Sequence, residues 1–347
     1  MKRRTFLAGM LGAPALLAQP AIPLRRLGST TLTVSALGFG CAPGLKDAAL
    51  YRRAIDLGVT YFHAGDRDPQ FDRDILRVLQ PYRRGIAIGL MTRTANTTGA
   101  AIDSMLSATR IGVIDVWYLI SPRAEDLSGA AMEALIAARG AGKVRHIGIT
   151  SHNLTDDATR VTAPGSPVEV VMMTYNFLSP SKDVESIERL RAHGVGIVPM
   201  KTMGGGFQLG GTETPAAIAR WIASDPRLHS APIAVDTIAQ LEQNVSSLYR
   251  KFDDSDRELL ASQRKVASAS FCRLCGSCRG VCPRGVPTSD MVRCAMYAEG
   301  YRDVRRARAE LATLRDPGCG ECTTCVVKCP NGVAIPQRLN RARSLSL

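Results

Sequence analysis

The sequence has no hydrophobic run long enough to cross a bilayer. Its N-terminal apolar stretch, from Phe6 to about Ala18, is too short, because a membrane-spanning helix needs about 20 apolar residues. Acidic residues are also scarce: 31 Asp and Glu stand against 44 Lys and Arg, which gives a formal net charge of +13. The basic excess lacks the interleaved aromatic residues on which bound nucleic acids stack. These shortages disfavour a protein with membrane spans beyond an N-terminal anchor, and they disfavour a nucleic-acid-binding protein.

The N-terminus is typical of an export signal. The pair Arg3-Arg4 precedes the short apolar run, and the run ends in small residues and prolines. We therefore predict that residues 1–21 are a twin-arginine signal and that the folded protein is exported to a periplasmic or other extracytoplasmic location. Because no A-x-A motif stands at the usual distance, both a cleaved signal and a retained anchor stay open. A basic N-terminus that remains in the cytosol is the alternative.

Ten cysteines are present, and eight of them form two identical runs near the C-terminus. Each run reads C-x2-C-x2-C-x3-C-P, and the second lies 47 residues after the first. This spacing is typical of two-cluster bacterial ferredoxins, in which the fourth cysteine of each run ligates the other cluster. The predicted ligands are Cys272, Cys275, Cys278 and Cys329 for one [4Fe–4S] cluster, and Cys319, Cys322, Cys325 and Cys282 for the other. Structural zinc is the alternative, although zinc uses well-separated cysteine pairs.

The basic excess is concentrated around these cysteines. From Phe271 onward there are 13 Lys and Arg against 6 Asp and Glu. Cationic side chains near a cluster are expected to favour its reduced form and raise its potential. The arginines Arg305, Arg306 and Arg308 would also offer a basic face to an acidic redox partner. A solvated helix face is the alternative for these arginines.

Ahead of the cysteines, apolar strand segments alternate regularly with amphipathic helical segments. A hairpin, Leu24–Val34, precedes eight strand candidates, at 35–42, 60–65, 85–92, 114–120, 145–150, 168–174, 196–200 and 231–235. Eight strand–helix units predict an α/β fold, a closed (β/α)8 TIM barrel. We place this barrel at 22–262, with its last helix near 238–251. A small, mostly helical, two-[4Fe–4S] ferredoxin-like domain is predicted at 263–347.

Several short sequence motifs along the barrel segment resemble those of a known family. They are Arg26–Gly28, Val34–Cys41, Leu57–Phe62, Ile147–Ser151, Tyr175-Asn176, Lys201 and Gln240–Asn244. Together they resemble the aldo/keto reductase family, and the export signal and cysteine-rich tail are similar to those of one branch of it. The resemblance implies a TIM barrel and NADPH-dependent carbonyl reduction by an Asp/Tyr/Lys/His tetrad.

The four residues of that tetrad are replaced in this sequence. His63 stands for the aspartate, Asp68 for the tyrosine, Arg93 for the lysine and Ile120 for the histidine. The family's tyrosine donates a proton to the carbonyl, and a carboxylate does not take over that role without new geometry. Ordinary reductase chemistry is therefore disfavoured.

Contacts to the nicotinamide cofactor are also weakened. Met172 stands where the family has glutamine, and Asp236 would repel the 2′-phosphate of NADPH. NADPH is thus disfavoured as a cofactor, and two [4Fe–4S] clusters are the predicted ones.

Polar residues nevertheless follow most of the predicted strands, at the barrel end where active sites lie. The catalytic candidates are His63, Asp68, Arg93 and Lys201, and the candidates for lining a cofactor pocket are His152, Asn153, Tyr175 and Asn176. Such a set could bind an anionic small molecule and move protons. The alternative is a barrel that serves only as a scaffold.

These features predict an exported iron–sulfur oxidoreductase or electron-transfer protein, with a degenerate barrel and a redox partner protein. An NADPH-dependent carbonyl reductase with a rebuilt site, or a non-enzymatic electron-transfer subunit, are the alternatives. Of the two remaining cysteines, Cys41 is expected to be a buried small hydrophobe. Cys294 falls in a helical segment with no predicted role.

Overall fold

The computed structural model describes residues 22–40, 47–65, 69–120, 122, 124–204, 213–267, 270–319, 322 and 324–346. The predicted export signal, Cys41 and Asp68 lie outside these residues. Among the helices described, none is both long and apolar enough to cross a membrane.

A short antiparallel hairpin precedes a sheet of eight parallel strands. The hairpin consists of β1 (Leu24–Arg26) and β2 (Thr33–Ser35). The parallel strands are β3 (Leu37–Phe39), β4 (Tyr61–Ala64), β5 (Ala87–Thr92), β6 (Ile114–Ile120), β7 (Val144–Ser151), β8 (Val170–Thr174), β9 (Gly196–Met200) and β10 (Ala231–Ile233). Their order around the sheet is β10-β3-β4-β5-β6-β7-β8-β9.

His229, just before β10, closes this sheet into a barrel. Its backbone N–H donates to the carbonyl of Ile197 in β9 (3.0 Å), and its Nδ1 accepts from the N–H of Ile197 (2.8 Å). Both faces of the strands are covered, which explains their nearly continuous apolar sequences. The predicted (β/α)8 barrel is confirmed, with every strand within a few residues of its expected position.

Helices follow each barrel strand, and four more complete the chain. The barrel helices are α1 (Ala48–Asp56), α2 (Pro69–Leu79), α3 (Gly99–Thr109), α4 (Ala130–Gly140), α5 (Leu154–Val161), α6 (Ser181–Ala192), α7 (Glu213–Ser224) and α8 (Ile238–Ser246). The later ones are α9 (Asp254–Ala267), α10 (Thr288–Gly300), α11 (Val304–Leu311) and α12 (Ile335–Ser346).

Side-chain caps set several of these helix starts. Asp47, Thr98, Thr237 and Asp303 each accept a hydrogen bond from a backbone N–H in the first turn of α1, α3, α8 and α11 respectively. A capping oxygen satisfies an N–H that has no partner inside the helix, which is worth about 1 kcal/mol per helix.

The end of the barrel differs from the prediction. The last barrel helix, α8, ends at Ser246 and gives way to a 3-10 turn, whereas we expected it to continue to about Lys251. The expected domain end at Ser262 falls inside α9. This helix packs on α7 through a buried ion pair between Arg220 and Asp256 (2.6 Å), so it is a continuation of the barrel and not a linker.

The N-terminal hairpin fills one end of the barrel. Leu27, Leu32 and Val34 are buried among the inward-facing residues of the strands. The N–H of Ser29 donates to the carbonyl of Gly194, directly before β9 (2.7 Å). With its amino-terminal end covered in this way, the barrel leaves the carboxyl ends of the strands as the face for a site.

Two tyrosines occupy the barrel interior. The hydroxyls of Tyr61 and Tyr118 lie 2.6 Å apart, and both rings are fully buried. Glycines make room for them: a Cβ on Gly89 would stand 2.5 Å from the Tyr61 hydroxyl, and one on Gly148 would stand 2.4 Å from the Tyr118 ring. The barrel is therefore a packed core and not a channel.

Candidate functional site

The backbone that follows the two cysteine runs also repeats at an interval of 47 residues. Gly285 and Gly332 occupy equivalent positions after the two Cys-Pro pairs, and both have left-handed backbone, with φ of +73° and +80°. The helices that follow, α10 and α12, begin at the equivalent residues Thr288 and Ile335. Each cysteine run thus ends in the same turn and helix. The cysteine spacing alone did not show that the repeat includes this turn and helix. The glycine two residues after each Cys-Pro pair was the sequence signal for it.

Four cysteines from both runs surround one cavity. Cys272, Cys275 and Cys278 of the first run and Cys329 of the second all line this space. Asn331 connects the two runs, because its backbone N–H donates to the Cys329 sulfur (3.4 Å) and its Nδ2 donates to the Cys275 sulfur (3.6 Å). The structure therefore brings together the set that the spacing assigns to one cluster. We call these four cysteines the first cysteine set.

The thiols of this set influence each other. Cys272 is 8% exposed, and burial raises the pKa of its thiol to about 11, with Cys278, Cys275 and Cys329 adding to the effect. A bound metal would deprotonate such a thiol. Four sulfur donors around a cavity fit an iron–sulfur cluster. Over the described ranges, no three His, Cys, Asp or Glu side chains are grouped closely enough to hold a single metal ion.

The second cysteine set consists of Cys319, Cys322, Cys325 and Cys282. Cys322 is exposed and the other three are half-buried. Arg284, at the position equivalent to Asn331, donates from Nε to the carbonyl of Gly318 (3.3 Å), so the first run again reaches the second.

An arginine contacts the second set directly. Arg343 of α12 donates from Nη1 to the Cys319 sulfur (3.1 Å), and Asp316 holds its guanidinium through two oxygens (2.7 and 3.2 Å). The same contact lowers the pKa of the Asp316 carboxyl. A fixed positive charge therefore lies against one of the expected cluster ligands.

A buried ion pair joins the first set to the barrel. Arg273, next to Cys272, pairs with Asp183 near the start of α6, and their side chains are only 8% and 6% exposed. Arg273 also donates to the Ser179 hydroxyl (3.1 Å), and Arg264 of α9 donates to the Ser179 carbonyl (2.9 Å). The first set is thus attached to the loop between β8 and α6, at the carboxyl end of the barrel.

Cationic and aromatic groups from both domains meet beside this attachment. Lys201, directly after β9, has its Nζ 5.9 Å from the centre of the Tyr301 ring. Burial, followed by the nearby Cys272 thiol, raises the pKa of the Tyr301 phenol. Burial, followed by Lys201 and Arg293 of α10, lowers the pKa of His152 to about 3. His152 is therefore neutral at pH 7. Lys201 carries a positive charge beside it, whereas the charge of Arg293 is paired with Asp290 (3.0 Å) and Glu310 (3.1 Å).

His63 lies inside the barrel mouth on β4. It is 7% exposed, and its ring meets the edge of Tyr118 at 6.1 Å between centres. Burial lowers the pKa of His63 to about 4, so its imidazole is neutral at pH 7. Within the described protein, neither His63 Nε2 nor the Thr174 hydroxyl on β8 has a hydrogen-bond partner. Buried polar atoms of this kind are usually satisfied by ordered water or a ligand.

Arg93 and Lys201 lie on opposite sides of the barrel mouth. Arg93 follows β5 and Lys201 follows β9, and these strands stand on opposite sides of the eight-stranded ring. Arg93 lines a separate cavity between α2 and α3. Asp68, the fourth catalytic candidate, lies outside the described residues. The barrel mouth thus has two distinct sides, with His63 adjoining the Arg93 side.

The four candidates for lining a pocket have different surroundings. The Tyr175 ring packs on Trp221 of α7, at 5.5 Å between centres. The Asn176 side chain is buried and donates to the carbonyl of Lys201 (3.0 Å), which fixes the loop after β9. Asn153 is exposed at the start of α5. His152 lies near Arg293 of the cysteine-rich domain.

Cys294, the cysteine without a predicted role, is a core residue of α10. It is fully buried, and burial raises the pKa of its thiol to about 11. An uncharged thiol in this position packs as a small hydrophobic side chain.

The barrel is similar in sequence and in fold to aldo/keto reductases. The sequence profile of the Aldo/keto reductase family matches residues 92–219. L-galactose dehydrogenase of Arabidopsis thaliana is 26% identical over 281 residues, which cover 72% of this chain and 85% of that protein. An aldo-keto reductase of Klebsiella pneumoniae, solved in complex with NADPH, superimposes with a TM-score of 0.58 at 16% identity, over 72% of this chain and 96% of that one.

A second kind of relative is an iron–sulfur protein. An iron–sulfur component of the CoB–CoM heterodisulfide reductase of Methanopyrus kandleri is 32% identical over 91 residues. The match covers 26% of this chain, and it spans less than half, 45%, of that protein. Together the comparisons show that the barrel is similar to aldo/keto reductases and that about a quarter of the chain is similar to an iron–sulfur protein.

Proposed function

We propose that this protein is an exported iron–sulfur oxidoreductase in which two [4Fe–4S] clusters serve an aldo/keto reductase-like barrel. The observation that carries this proposal is the first cysteine set, because its four members come from both runs, line one cavity and are attached to the barrel mouth. Each cluster, when bound, would supply one-electron transfer.

The second cysteine set is suited to receive electrons from a partner protein. Cys322 is exposed, and Val281 and Val326, each adjacent in sequence to a cysteine of this set, are 47% and 61% exposed. Arg305 and Arg308 are also exposed on α11. Apolar surface beside the cysteines and basic residues nearby favour an acidic redox protein as the partner.

Arg306, the third arginine of that helix, contributes less to this surface. Its guanidinium stacks on the Tyr297 ring at 3.8 Å, and it is half-buried. The basic face therefore depends mainly on the other two arginines.

The first set is suited to transfer electrons to a substrate in the barrel mouth. Lys201, beside Tyr301 of the cysteine-rich domain, carries a positive charge at the barrel mouth, and positive charge stabilises the reduced form of a nearby cluster. A substrate in the barrel mouth would meet neutral His63 and His152 as hydrogen-bonding groups. In this proposal electrons pass from a partner protein to the second set, then to the first set, and then to a substrate in the barrel mouth.

Use of NADPH is not favoured by the residues present. The Tyr175 ring is packed on Trp221, the Asn176 amide is used within its loop, and Met172 is buried in the barrel interior. A rebuilt NADPH-dependent reductase remains the alternative enzyme, since a barrel of similar fold was solved with that cofactor. A non-enzymatic electron-transfer subunit is the second alternative.

An anaerobic titration distinguishes these functions. The purified protein is titrated with dithionite and, separately, with NADPH, while the visible absorbance of the clusters is followed. We expect dithionite to bleach the band and NADPH to leave it unchanged, with no NADPH consumed in the presence of simple aldehydes. Reduction of the clusters by NADPH would support the reductase alternative instead.

Export is tested separately in cells. Changing the Arg3-Arg4 pair to two lysines should retain the protein in the cytoplasm, as seen by fractionation, because the twin-arginine route reads both arginines. Unchanged export of this variant would exclude that route.

A further inference from the structure

A second cavity opens at the barrel mouth, on the side away from the cysteine sets. It has a volume of about 420 Å³ and lies between α2 and α3, at the carboxyl ends of β5 and β6. Pockets of about 300 to 1,000 Å³ are the usual size for small organic ligands. The proposed function above uses none of the contacts that make this cavity.

Part of the cavity wall is apolar and rigid. Met91, Met105 and Trp117 contribute to it, and Trp117 is only 1% exposed. The indole N–H of Trp117 donates to the Thr92 hydroxyl (2.8 Å), which fixes the orientation of the ring. A fixed aromatic surface beside two methionines suits the apolar body of a ligand.

Two arginines supply the charge of the cavity. Arg73 of α2 donates from Nη2 to the Ser104 hydroxyl (3.3 Å), and its Nε has no partner within the described protein. Arg93 also lines the cavity, and no described residue forms a hydrogen bond or ion pair with its guanidinium. Arginine presents a planar set of N–H donors that matches a carboxylate.

A single acidic residue limits which anion fits. Asp72 lines the cavity and is 4% exposed, whereas Arg73 is half-buried and Arg93 is exposed. Two arginines and one aspartate leave a net charge of +1 among these three residues. A ligand with one negative charge would neutralise it, whereas a phosphate dianion would leave an excess of negative charge in a partly enclosed site.

We propose that this cavity binds a small organic monocarboxylate, with the carboxylate between Arg73 and Arg93 and an apolar body against Trp117. The binding site stands independently of the clusters.

Isothermal titration of the full-length protein with three probes tests the site. The probes are 3-phenylpropanoate, its neutral amide, and phenyl phosphate. We expect 3-phenylpropanoate to bind, and the amide and the phosphate each to bind at least about 10-fold more weakly, because the amide loses the charge-assisted bidentate contact and the phosphate adds an uncompensated charge. Arg93→Gln should weaken binding of the carboxylate by a similar factor, while Arg84→Gln, an exposed arginine outside the cavity, should leave it unchanged.

Three results would overturn the proposal: no binding of 3-phenylpropanoate, equal binding of the amide, or tighter binding of the phosphate. The comparison of probes on the unmodified protein holds even if Arg93→Gln fails to fold. Iron content measured on the same sample keeps the two proposals apart. Protein that binds the carboxylate but lacks iron would refute the clusters and leave this site intact.

Discussion

The two cysteine sets share one local fold but have different surroundings. In both, a Cys-Pro pair, a left-handed glycine and a helix follow in the same order. The first set includes the buried Cys272 and is attached to the barrel through Arg273 and Asp183, whereas the second presents Cys322 to solvent. The repeat in the sequence thus determines what kind of site each run makes. The neighbours of each run determine whether that site serves the interior or the surface.

Hydrogen-bond donors to the sulfurs differ in the same way. In the first set the donors are neutral, because the backbone N–H and the side-chain amide of Asn331 each donate to one sulfur. In the second set the donor is charged, because the Arg343 guanidinium donates to the Cys319 sulfur. Donors and charges at the sulfurs tune the potential of a cluster. We therefore expect the two clusters to have different potentials, and the following predictions test the difference between the sets.

The largest effect is expected when ligands are removed from one set. Cys329→Ser should lower iron content from about eight to about four per chain, as measured by elemental analysis, because one cluster is lost. Cys294→Ser should retain about eight, since Cys294 is a core residue. The double variant Cys278→Ser with Cys329→Ser should still retain about four, because both cysteines belong to the first set. Loss of nearly all iron in the double variant would show that each run holds its own cluster.

The ion pair that attaches the first set to the barrel should contribute to the unfolding free energy of the protein. Asp183→Asn leaves the Arg273 charge buried without its partner, which is expected to cost about 3–5 kcal/mol of unfolding free energy. The matched control is Asp254→Asn, because the Arg257–Asp254 pair is 59% and 91% exposed and exposed pairs contribute at most about 1 kcal/mol. Thermal unfolding of the three proteins measures both. Equal midpoints for the two variants would contradict the attachment of the first set to the barrel.

Charge removal should lower one potential at a time. Arg343→Gln should lower the potential of the second cluster, and Lys201→Gln that of the first, by tens of millivolts, since one unit charge at this range is worth about 1–2 kcal/mol. We expect the larger shift from Arg343→Gln because Arg343 contacts a sulfur directly. Potentiometric titration monitored by EPR measures both potentials. A Lys201→Gln variant that moves neither potential would mean that the barrel mouth and the first set are not electrostatically coupled.

The smallest effect concerns pH. Burial lowers the pKa of His63 to about 4 in the folded protein, against about 6.5 in the unfolded chain. Between these values only the unfolded chain binds the proton, so stability falls as the pH drops below about 6.5. His63 should account for about 1.5 kcal/mol of the loss between pH 8 and about pH 5.5.

Chemical unfolding at both pH values measures this loss. His63→Gln should reduce the difference between the two pH values by about that amount. His193→Gln, at an exposed histidine, should leave the difference as it is in the unmodified protein. The same pH dependence in all three proteins would place His63 in contact with water.

The barrel could be predicted from the sequence because its strands are apolar on both faces and regularly spaced. The first cysteine set could be predicted because three of its ligands lie on one short turn. The positions of Tyr175 and Asn176 could not be predicted, since the Trp221 ring and the Lys201 carbonyl that they contact lie far away along the chain. The contact between Lys201 and Tyr301 depends on how two domains pack, and no local pattern records it.

The separation of Arg93 from Lys201 follows from strand order around the ring, which the number of strand–helix units alone already implies. Arg73, in contrast, joins Arg93 only because α2 packs beside α3. No feature of the sequence around Arg73 distinguishes it from other basic residues on helices.

The central claim is that both cysteine sets hold iron–sulfur clusters, and elemental analysis of anaerobically purified protein tests it most directly. The account predicts about eight iron and about eight acid-labile sulfide per chain, no zinc, and EPR signals of two reduced [4Fe–4S] clusters after dithionite. About two zinc per chain, with neither iron nor sulfide, would contradict it and make the C-terminal domain a structural zinc module.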